Sequence, residues 1–400
     1  MEKLGSSILF TEKIIGSLTI KNRFVRSATF ESAANDDGTI GEEYAKIYNR
    51  LSRGNVGLII TGMISVSEEG KSYQRQAGLF SDSGIDGFAA MNDEIRRNGS
   101  RIFAQICYGG RQSLMHGKFP KAASLGVPDF IYQVLPRCMN GKEISSAIKA
   151  FSEAASRAQK SGFDGIQIHA AHGYLISNFL SPFSNRRTDE WGGDRKRRFL
   201  FLKRVYESIR ESVGSGFPVT AKINISDHTP WGGISLEESA KQIERLVQMG
   251  IDAIEISCGT MAFSMFNQSR GKVPARELSK TMPVPLQPFA SLLLKTVYPE
   301  SKYAFEEGYN LWATQKVKSV KRDTPLIVVG GLRTFDFIEK IVQDGKADFV
   351  ALCRPLIAEP LLIKRWSEGN MKQLICSNCN KCFAGLAMHE PLKCNLNTRF

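Results

Sequence analysis

Eight short apolar segments, separated by longer amphipathic stretches, constrain the fold of this 400-residue chain more than any other feature of its sequence. Each segment is apolar on both faces, which is typical of parallel strands covered by helices. The stretches between them place apolar residues at helical spacing, as in 145–162 and 236–250. This alternation predicts an α/β fold, a closed (β/α)8 TIM barrel. The predicted strands are 24–27, 56–61, 102–106, 165–169, 218–223, 253–257, 326–329 and 349–353.

Two long loops and a C-terminal segment lie outside this repeat. Residues 107–144 follow the third predicted strand and residues 258–317 follow the sixth, at the end of the barrel where loops enclose substrates. We expect residues 1–366 to form the barrel and residues 367–400 a cysteine-rich appendix packed on it. A doubly wound sheet of six strands is the competing fold. No Gly-x-Gly-x-x-Gly motif follows a predicted strand, however, which argues against it.

The net charge of +13 favours anionic partners, among them nucleic acid, anionic lipid and phosphorylated ligands. The lysines and arginines are spread along the chain, and no segment combines a basic stripe with an aromatic platform, so we expect no nucleic-acid binding. The sequence contains no run of about 18 apolar residues that could span a bilayer, and the N-terminus lacks the apolar core of a secretory signal. We therefore expect a cytoplasmic protein without membrane association.

The densest chemical signal is a pair of histidines and a tyrosine directly after the fourth predicted strand, His169, His172 and Tyr174. The C-terminal end of a strand is the catalytic end of such a barrel. Two imidazoles can donate hydrogen bonds to one carbonyl oxygen and stabilise a developing enolate. A nearby phenol can protonate carbon as a general acid. A core histidine followed by an ordinary turn is the alternative, but two of the five histidines of the chain fall here.

Residues 169–193, which begin His-Ala-Ala-His-Gly-Tyr and end Asp-Glu-Trp-Gly-Gly, resemble the signature of the old yellow enzyme family. The resemblance extends to Lys-Asn-Arg-Phe-Val-Arg-Ser at 21–27, to Gln105 on the third predicted strand and to Arg354 after the last one. It therefore spans nearly the whole chain. It implies a (β/α)8 barrel with non-covalent FMN, which NAD(P)H reduces and an activated alkene reoxidises.

The same resemblance implies an FMN site at the ends of the predicted strands. The amide of Gln105 would pair with the pyrimidine edge of the flavin, and the cation of Lys222 would offset charge at N1–O2 of the reduced ring. Lysine at this position is typical of the 2,4-dienoyl-CoA reductase branch of the family. Backbone N–H groups and Arg354 would hold the phosphate. The implied FMN-binding residues are Ser27, Ala28, Thr29, Gly62, Gln105, Lys222, Gly330, Gly331, Cys353 and Arg354.

Four cysteines crowd the C-terminal segment with the spacing Cys376-x2-Cys379-x2-Cys382-x11-Cys394. In a reducing cytosol, crowded cysteines indicate metal ligands rather than disulfides, and four thiolates suit a [4Fe–4S] cluster or tetrahedral zinc. The pattern resembles the cluster loop of 2,4-dienoyl-CoA reductase and trimethylamine dehydrogenase, in which the cluster passes electrons from a second flavin domain. We expect no such domain in this chain. Zinc, a disulfide and a metal-free remnant therefore remain open, and a bound cluster would need a separate electron-transfer partner.

The sequence thus predicts an FMN-dependent NAD(P)H oxidoreductase, an ene-reductase that reduces the C=C bond of small α,β-unsaturated carbonyl compounds or enoyl thioesters. A flavin-dependent demethylase or isomerase of the same family, a non-flavin barrel lyase or isomerase, and a basic metal-ribbon protein that binds nucleic acid are the alternatives. The sequence leaves open the physiological substrate, the choice between NADH and NADPH, and whether the protein forms homo-oligomers.

Overall fold

A closed barrel of eight parallel strands forms the centre of the computed structural model, which describes residues 7–115, 119–125 and 134–397. The strands follow one another around the barrel in chain order, and the last pairs with the first, with Val350 opposite Phe24. The predicted (β/α)8 architecture is therefore confirmed. The strands are β1 (Phe24–Arg26), β2 (Leu58–Ser65), β3 (Arg101–Cys107), β4 (Gly165–Ala170), β5 (Val219–Asn224), β6 (Ala253–Ser257), β7 (Leu326–Val329) and β8 (Phe349–Leu352).

A helix follows each strand on the outside of the barrel. The helices are α1 (Glu42–Arg53), α2 (Ile85–Arg97), α3 (Gly141–Lys160), α4 (Leu200–Val213), α5 (Leu236–Gln248), α6 (Thr314–Lys321), α7 (Phe335–Gln343) and α8 (Leu362–Ser367). Helix α3 begins before the predicted residue 145 because Asn140 and Glu143 form a capping box, each side chain accepting a hydrogen bond from the other residue's main-chain N–H. None of the helices in the described part of the chain is long and apolar enough to cross a bilayer.

Strand β2 continues to Ser65, beyond the predicted end at residue 61. Between Ile60 and Met63 it carries one more residue than its partner β3, so Thr61 and Gly62 form a bulge. All eight residues of the strand are buried. Bulges redirect a strand and are common next to active sites. This one turns the end of β2 at the C-terminal face of the barrel.

An N-terminal hairpin covers the opposite end of the barrel. Its strands Lys13–Ile15 and Leu18–Ile20 pair in antiparallel fashion. The fully buried side chains of Ile15 and Ile20 pack against residues inside the barrel, among them Phe103 of β3. The floor of the barrel is therefore apolar, and the buried polar groups described below lie towards the C-terminal ends of the strands.

The two long loops carry secondary structure of their own. In the loop after β3, the short strands Lys121–Ala122 and Arg137–Cys138 pair in parallel, and part of this loop lies outside the described residues. The loop after β6 carries three α-helices, Met265–Gln268, Ala275–Leu278 and Gln287–Val297. No residue of the third of these helices, Gln287–Val297, is buried, although most of its side chains are apolar.

The cysteine-rich C-terminal segment packs on the barrel. The Asn380 side chain donates hydrogen bonds to the carbonyls of Ser269 and Lys272 in the loop after β6, at 2.7 and 2.9 Å. The main-chain N–H of Leu392 donates to the carbonyl of Glu31 at 2.8 Å. The segment thus touches both the sixth and the first strand–helix connections. The division between barrel and appendix at residue 366 remains a prediction.

Candidate active site

The paired histidines and the tyrosine meet at the C-terminal end of β4, as predicted. The ring centroid of His169 lies 5.1 Å from that of His172 and 4.7 Å from that of Tyr174. The chain turns sharply between them, with positive φ angles of 63° at His172 and 82° at Gly173. A side chain at Gly173 would also place its Cβ 2.8 Å from Nε2 of Gln112, so both conformation and space favour glycine.

Both imidazoles are neutral near pH 7. Burial lowers the pKa of His169 well below its ordinary value, and the nearby His172 and the Lys222 cation lower it further. Burial and Lys222 lower the pKa of His172 in the same way. The hydroxyl of Ser257 lies 2.7 Å from Nε2 of His172 and orients that ring. A neutral imidazole still carries one N–H donor, so the pair can hold a carbonyl oxygen without adding positive charge.

The Tyr174 phenol faces an apolar surround formed by the ends of neighbouring strands. Tyr174 is 5% exposed and packs with Met63 of β2 and Cys107 of β3. The half-buried rings of Phe30 and Tyr73 stack beside this group, with centroids 5.0 Å apart. The site therefore places a phenol next to a region lined by apolar side chains.

A buried polar network crosses the barrel axis and contains three predicted FMN residues, Ser27, Gln105 and Lys222. Gln105 Nε2 donates to Gln167 Oε1 at 2.8 Å, and Gln167 Nε2 donates to Glu255 Oε2 at 2.8 Å. Lys222 Nζ lies 3.0 Å from Glu255 Oε1. The Ser27 hydroxyl donates to the same carboxylate at 2.6 Å and accepts from Lys222 Nζ at 2.9 Å.

Gln167 and Glu255 are site residues that the sequence analysis missed. Both are completely buried, on β4 and β6. Gln167 lies between Ile166 and Ile168, and Glu255 lies between Ile254 and Ile256. A polar side chain flanked by isoleucines in a buried strand is the signal that could have identified them. A buried charge needs a partner, so Glu255 alone would have indicated a cation in the barrel.

A second group of predicted FMN residues lies after β1, at the bulge of β2 and at the end of β8. The Thr29 hydroxyl donates to the carbonyl of Ser27 at 3.1 Å, and its oxygen lies 3.0 Å from Sγ of Cys353. The half-buried Ala28 packs on the apolar interior of the barrel. The N–H of Gly62 donates to Oε1 of Glu31 at 2.7 Å, a contact that the sequence analysis did not predict.

Two glycines and an arginine lie at the ends of β7 and β8, the predicted phosphate site. Gly330 and Gly331 have φ angles of 145° and 70°, which favour glycine. A Cβ at Gly330 would lie 2.9 Å from Nδ2 of Asn310. The buried guanidinium of Arg354 donates to Asn380 Oδ1 at 2.8 Å. Glycines with room only for backbone and a buried guanidinium, at the ends of two paired strands, fit a phosphate group by their donor chemistry.

The four C-terminal cysteines are brought to one place. They are free thiols and line one cavity of about 20 Å³ together with Arg354 and Asn380. A cavity of this size holds about one water molecule. In the described part of the chain, no group of three or more His, Cys, Asp or Glu side chains is arranged to hold a metal ion. The predicted ligands thus share a cavity, but their arrangement does not form a metal site.

Comparison with known proteins gives the family. The sequence model of the NADH:flavin oxidoreductase / NADH oxidase family matches residues 9–281. The chain is 33% identical over 396 residues to an NADH oxidase of Thermoanaerobacter brockii, a match that covers 97% of this chain and 56% of that protein. It is 31% identical over 369 residues to an NADPH dehydrogenase of Geobacillus sp. strain WCH70, covering 92% of this chain and 95% of that protein.

A solved structure shows the same fold. The structure of an old yellow enzyme homologue from Zymomonas mobilis matches with a TM-score of 0.72 and 24% identity, over 92% of this chain and 94% of that one. The chain spans about half the length of the first curated relatives it matches. The family match covers more than half of the chain, which confirms the resemblance to old yellow enzymes. The chain belongs to the NADH:flavin oxidoreductase / NADH oxidase family.

Proposed function

We propose that the protein is an FMN-dependent oxidoreductase that takes electrons from NAD(P)H and reduces the C=C bond of α,β-unsaturated carbonyl compounds or enoyl thioesters. One observation carries this proposal. Two neutral imidazoles and a phenol, those of His169, His172 and Tyr174, meet at the C-terminal end of β4 in a barrel of a flavin oxidoreductase family. Hydrogen-bond donors beside a proton donor are what addition to an activated alkene requires.

The residues at the strand ends fit FMN in their donor chemistry. When bound, FMN accepts a hydride from NAD(P)H and delivers it to an alkene carbon. Gln105 and Lys222 offer an amide and a cation to the flavin ring, and Arg354 with the two glycines offers donors to the phosphate. The proposed FMN-binding residues are Ser27, Ala28, Thr29, Gly62, Gln105, Lys222, Gly330, Gly331, Cys353 and Arg354.

In this proposal the substrate carbonyl oxygen lies between the two imidazoles. His169 and His172 donate hydrogen bonds to the oxygen and stabilise the negative charge that develops there. Their lowered pKa values keep both imidazoles neutral, so the oxygen is held by hydrogen-bond dipoles and not by a positive charge. The enolate therefore stays reactive enough to take up a proton at its α-carbon. Ser257 fixes the ring of His172. Tyr174 gives the phenolic proton to the α-carbon, and the apolar surround keeps water from competing.

Two measurements test the proposed activity. The purified protein should be yellow, and chromatography of the released cofactor should identify FMN rather than FAD. Under anaerobic conditions NADH or NADPH should bleach the flavin absorbance, and 2-cyclohexen-1-one should restore it. A protein that binds no flavin, or whose reduced flavin is not reoxidised by any activated alkene, would contradict the proposal. The comparison of NADH with NADPH also identifies the electron donor.

We further infer that Cys376, Cys379, Cys382 and Cys394 are the ligands of a [4Fe–4S] cluster. The four free thiols line one cavity, which supports a shared ligand role. The cavity of about 20 Å³ would have to widen for the thiols to hold a cluster, so we assign no catalytic step to it. Protein purified without oxygen should contain about four iron and four sulfide ions per chain. Zinc instead of iron and sulfide, or a protein with neither iron nor zinc, would contradict the proposed cluster.

We place the protein in the cytoplasm, since all eight cysteines are free, as in a reducing compartment. A separate electron-transfer protein is the proposed partner of the cluster, and homo-oligomerisation stays a prediction. Cell fractionation and light scattering of the purified protein test location and assembly. A disulfide-bonded, secreted form would contradict the assigned compartment.

A further inference from the structure

A buried carboxyl group lies beside the two segments proposed to contact FMN, and the proposed chemistry does not use it. Glu31 is 1% exposed and follows the 27–29 segment after β1. Its Oε1 accepts a hydrogen bond from the N–H of Gly62 at 2.7 Å. The carboxyl therefore ties the end of β1 to the bulge of β2.

The space around Gly62 is shaped by this carboxyl. A Cβ at Gly62 would lie 2.5 Å from Oε1 of Glu31 and 2.5 Å from the carbonyl oxygen of Thr29. The Gly62 N–H also lies 2.8 Å from the Tyr48 hydroxyl, so the carboxylate and the phenol share it. Because Met63 follows directly and packs on Tyr174, the position of Gly62 fixes the wall of the active site.

A buried cation balances the charge of Glu31. The guanidinium of Arg26 interacts electrostatically with the carboxylate and donates to the carbonyls of Ser27 and Thr29, at 2.7 and 3.4 Å. One charged group therefore holds the main chain after β1, and its partner holds the bulge of β2. Removing one charge would leave the other buried without its counter-charge.

We propose that Glu31 is a positioning residue for FMN binding, whose carboxylate, with its charge balanced by the nearby Arg26, holds Gly62 against the 27–29 segment. This inference rests on the proposed FMN site. The ionised carboxylate makes the stronger hydrogen bond to the Gly62 N–H and balances Arg26. The protonated form does neither as well, so FMN affinity should fall when Glu31 takes up a proton.

The titration of Glu31 falls in a range that can be measured. Burial raises its pKa to about 7, against the opposing effects of Arg26 and the Gly62 N–H. Helix α1 contributes the phenols of Tyr44 and Tyr48, and burial raises the pKa of Tyr44 well above its ordinary value, so that phenol stays neutral. The C-terminal segment contributes a main-chain N–H to the Glu31 carbonyl. Glu31 should therefore lose its proton between about pH 6 and pH 8.

The test measures the Kd of FMN for the apoproteins of the wild type and of Glu31→Gln from pH 5.5 to pH 8.5. Quenching of FMN fluorescence reports the binding. The FMN phosphate itself titrates near pH 6, but this affects both proteins and cancels in the ratio of their Kd values. We expect a ratio near one at pH 5.5 that rises to roughly tenfold at pH 8.5, because glutamine mimics the protonated acid. The midpoint should lie near pH 7.

Three controls separate the outcomes. Glu43→Gln removes an exposed carboxylate of α1 that pairs with Arg75, and its Kd should equal that of the wild type at every pH. Equal thermal unfolding of the apo forms at pH 5.5 shows that Glu31→Gln folds. In the wild type, infrared spectra should show a buried carboxyl band that disappears near pH 7 and is absent from the variant. A Kd ratio that does not change with pH overturns the role of Glu31, whereas a wild type that binds no FMN overturns the proposed function.

Discussion

At the scale of single residues, Tyr174 offers the sharpest test of the proposed chemistry. Tyr174→Phe keeps the ring that packs on Met63 and Cys107 and removes only the proton. Reduction of the flavin by NAD(P)H should stay near normal, and reoxidation by an enone should slow by about 10²–10⁴-fold, the usual contribution of a general acid. A quinone, which needs no proton on carbon, should react at the wild-type rate. Stopped-flow measurement of each half-reaction tests this prediction. If enones reoxidise the flavin at the same rate in the variant and in the wild type, Tyr174 is not the acid.

Glu255 gives a second residue-scale prediction, because it neutralises the cation expected beside the flavin. The carboxylate lies 3.0 Å from Lys222 Nζ, and both side chains are almost fully buried. Glu255→Gln keeps the shape and leaves Lys222 without its counter-charge, so reduced, anionic flavin should be stabilised and its reduction potential should rise. Potentiometric titration measures the change. Glu244→Gln, on the exposed face of α5, should leave the potential unaltered.

The raised pKa of Glu31 also predicts how stability depends on pH. The native state holds this proton up to about pH 7, whereas the unfolded chain releases it near its ordinary value of 4.5. The native state therefore binds more protons between these values, and stability falls as the pH rises through them. Glutamine has no proton to lose, so Glu31→Gln should not be destabilised as the pH rises. At pH 8 the free energy of unfolding of the apo variant should exceed that of the apo wild type by up to roughly 3 kcal/mol. Urea unfolding at pH 5 and pH 8 measures the difference, and a variant less stable at pH 8 contradicts it.

At the scale of secondary-structure elements, the bulge of β2 should tolerate no side chain. Gly62→Ala would place a methyl group within contact of the Glu31 carboxylate and the Thr29 carbonyl. The strand end must shift, and we expect FMN occupancy of the purified protein to fall below half with only modest loss of helix signal. Gly141→Ala, where nothing lies within 4 Å of the added Cβ, is the matched control. Full occupancy in Gly62→Ala would show that the bulge adapts.

The strands could be predicted from sequence because a parallel barrel strand is apolar on both faces, and all eight occur where apolar runs indicated them. The end of β2 was wrong because a bulge depends on the register with a neighbour, which a single strand does not reveal. The His169–Tyr174 group was accessible because its members are close in sequence. Gln167, Glu255 and Glu31 were missed because their hydrogen-bond partners lie on other elements of the fold, as with the 228 residues that separate Glu255 from Ser27.

At the scale of the whole molecule, Arg354 connects the proposed phosphate site to the C-terminal segment. Its guanidinium donates to the carbonyl of Arg270 and to the Asn380 side chain. Arg354→Ala should yield mostly apoprotein, because a charge-assisted contact to the phosphate is lost. Asn380→Ala removes the hydrogen bonds of this side chain to Arg354, Ser269 and Lys272 but keeps the guanidinium, so the variant should retain most of its FMN. The flavin absorbance of each purified protein measures its FMN content. An equal loss of FMN in both variants would mean that packing, not charge, holds the cofactor.

The pairing of β8 with β1 has a consequence for how the protein is made. The Ser27 N–H bonds to the carbonyl of Leu352, and Ser27 also meets Lys222, 195 residues away. The ribosome adds about 5–20 residues per second, so β1 is made long before β8. Until β8 emerges, the edge of β1 that pairs with it has no partner strand. A nascent chain therefore presents an unclosed, apolar sheet that no cofactor can yet occupy. Chaperones and low temperature, rather than added flavin, should govern the yield of folded protein.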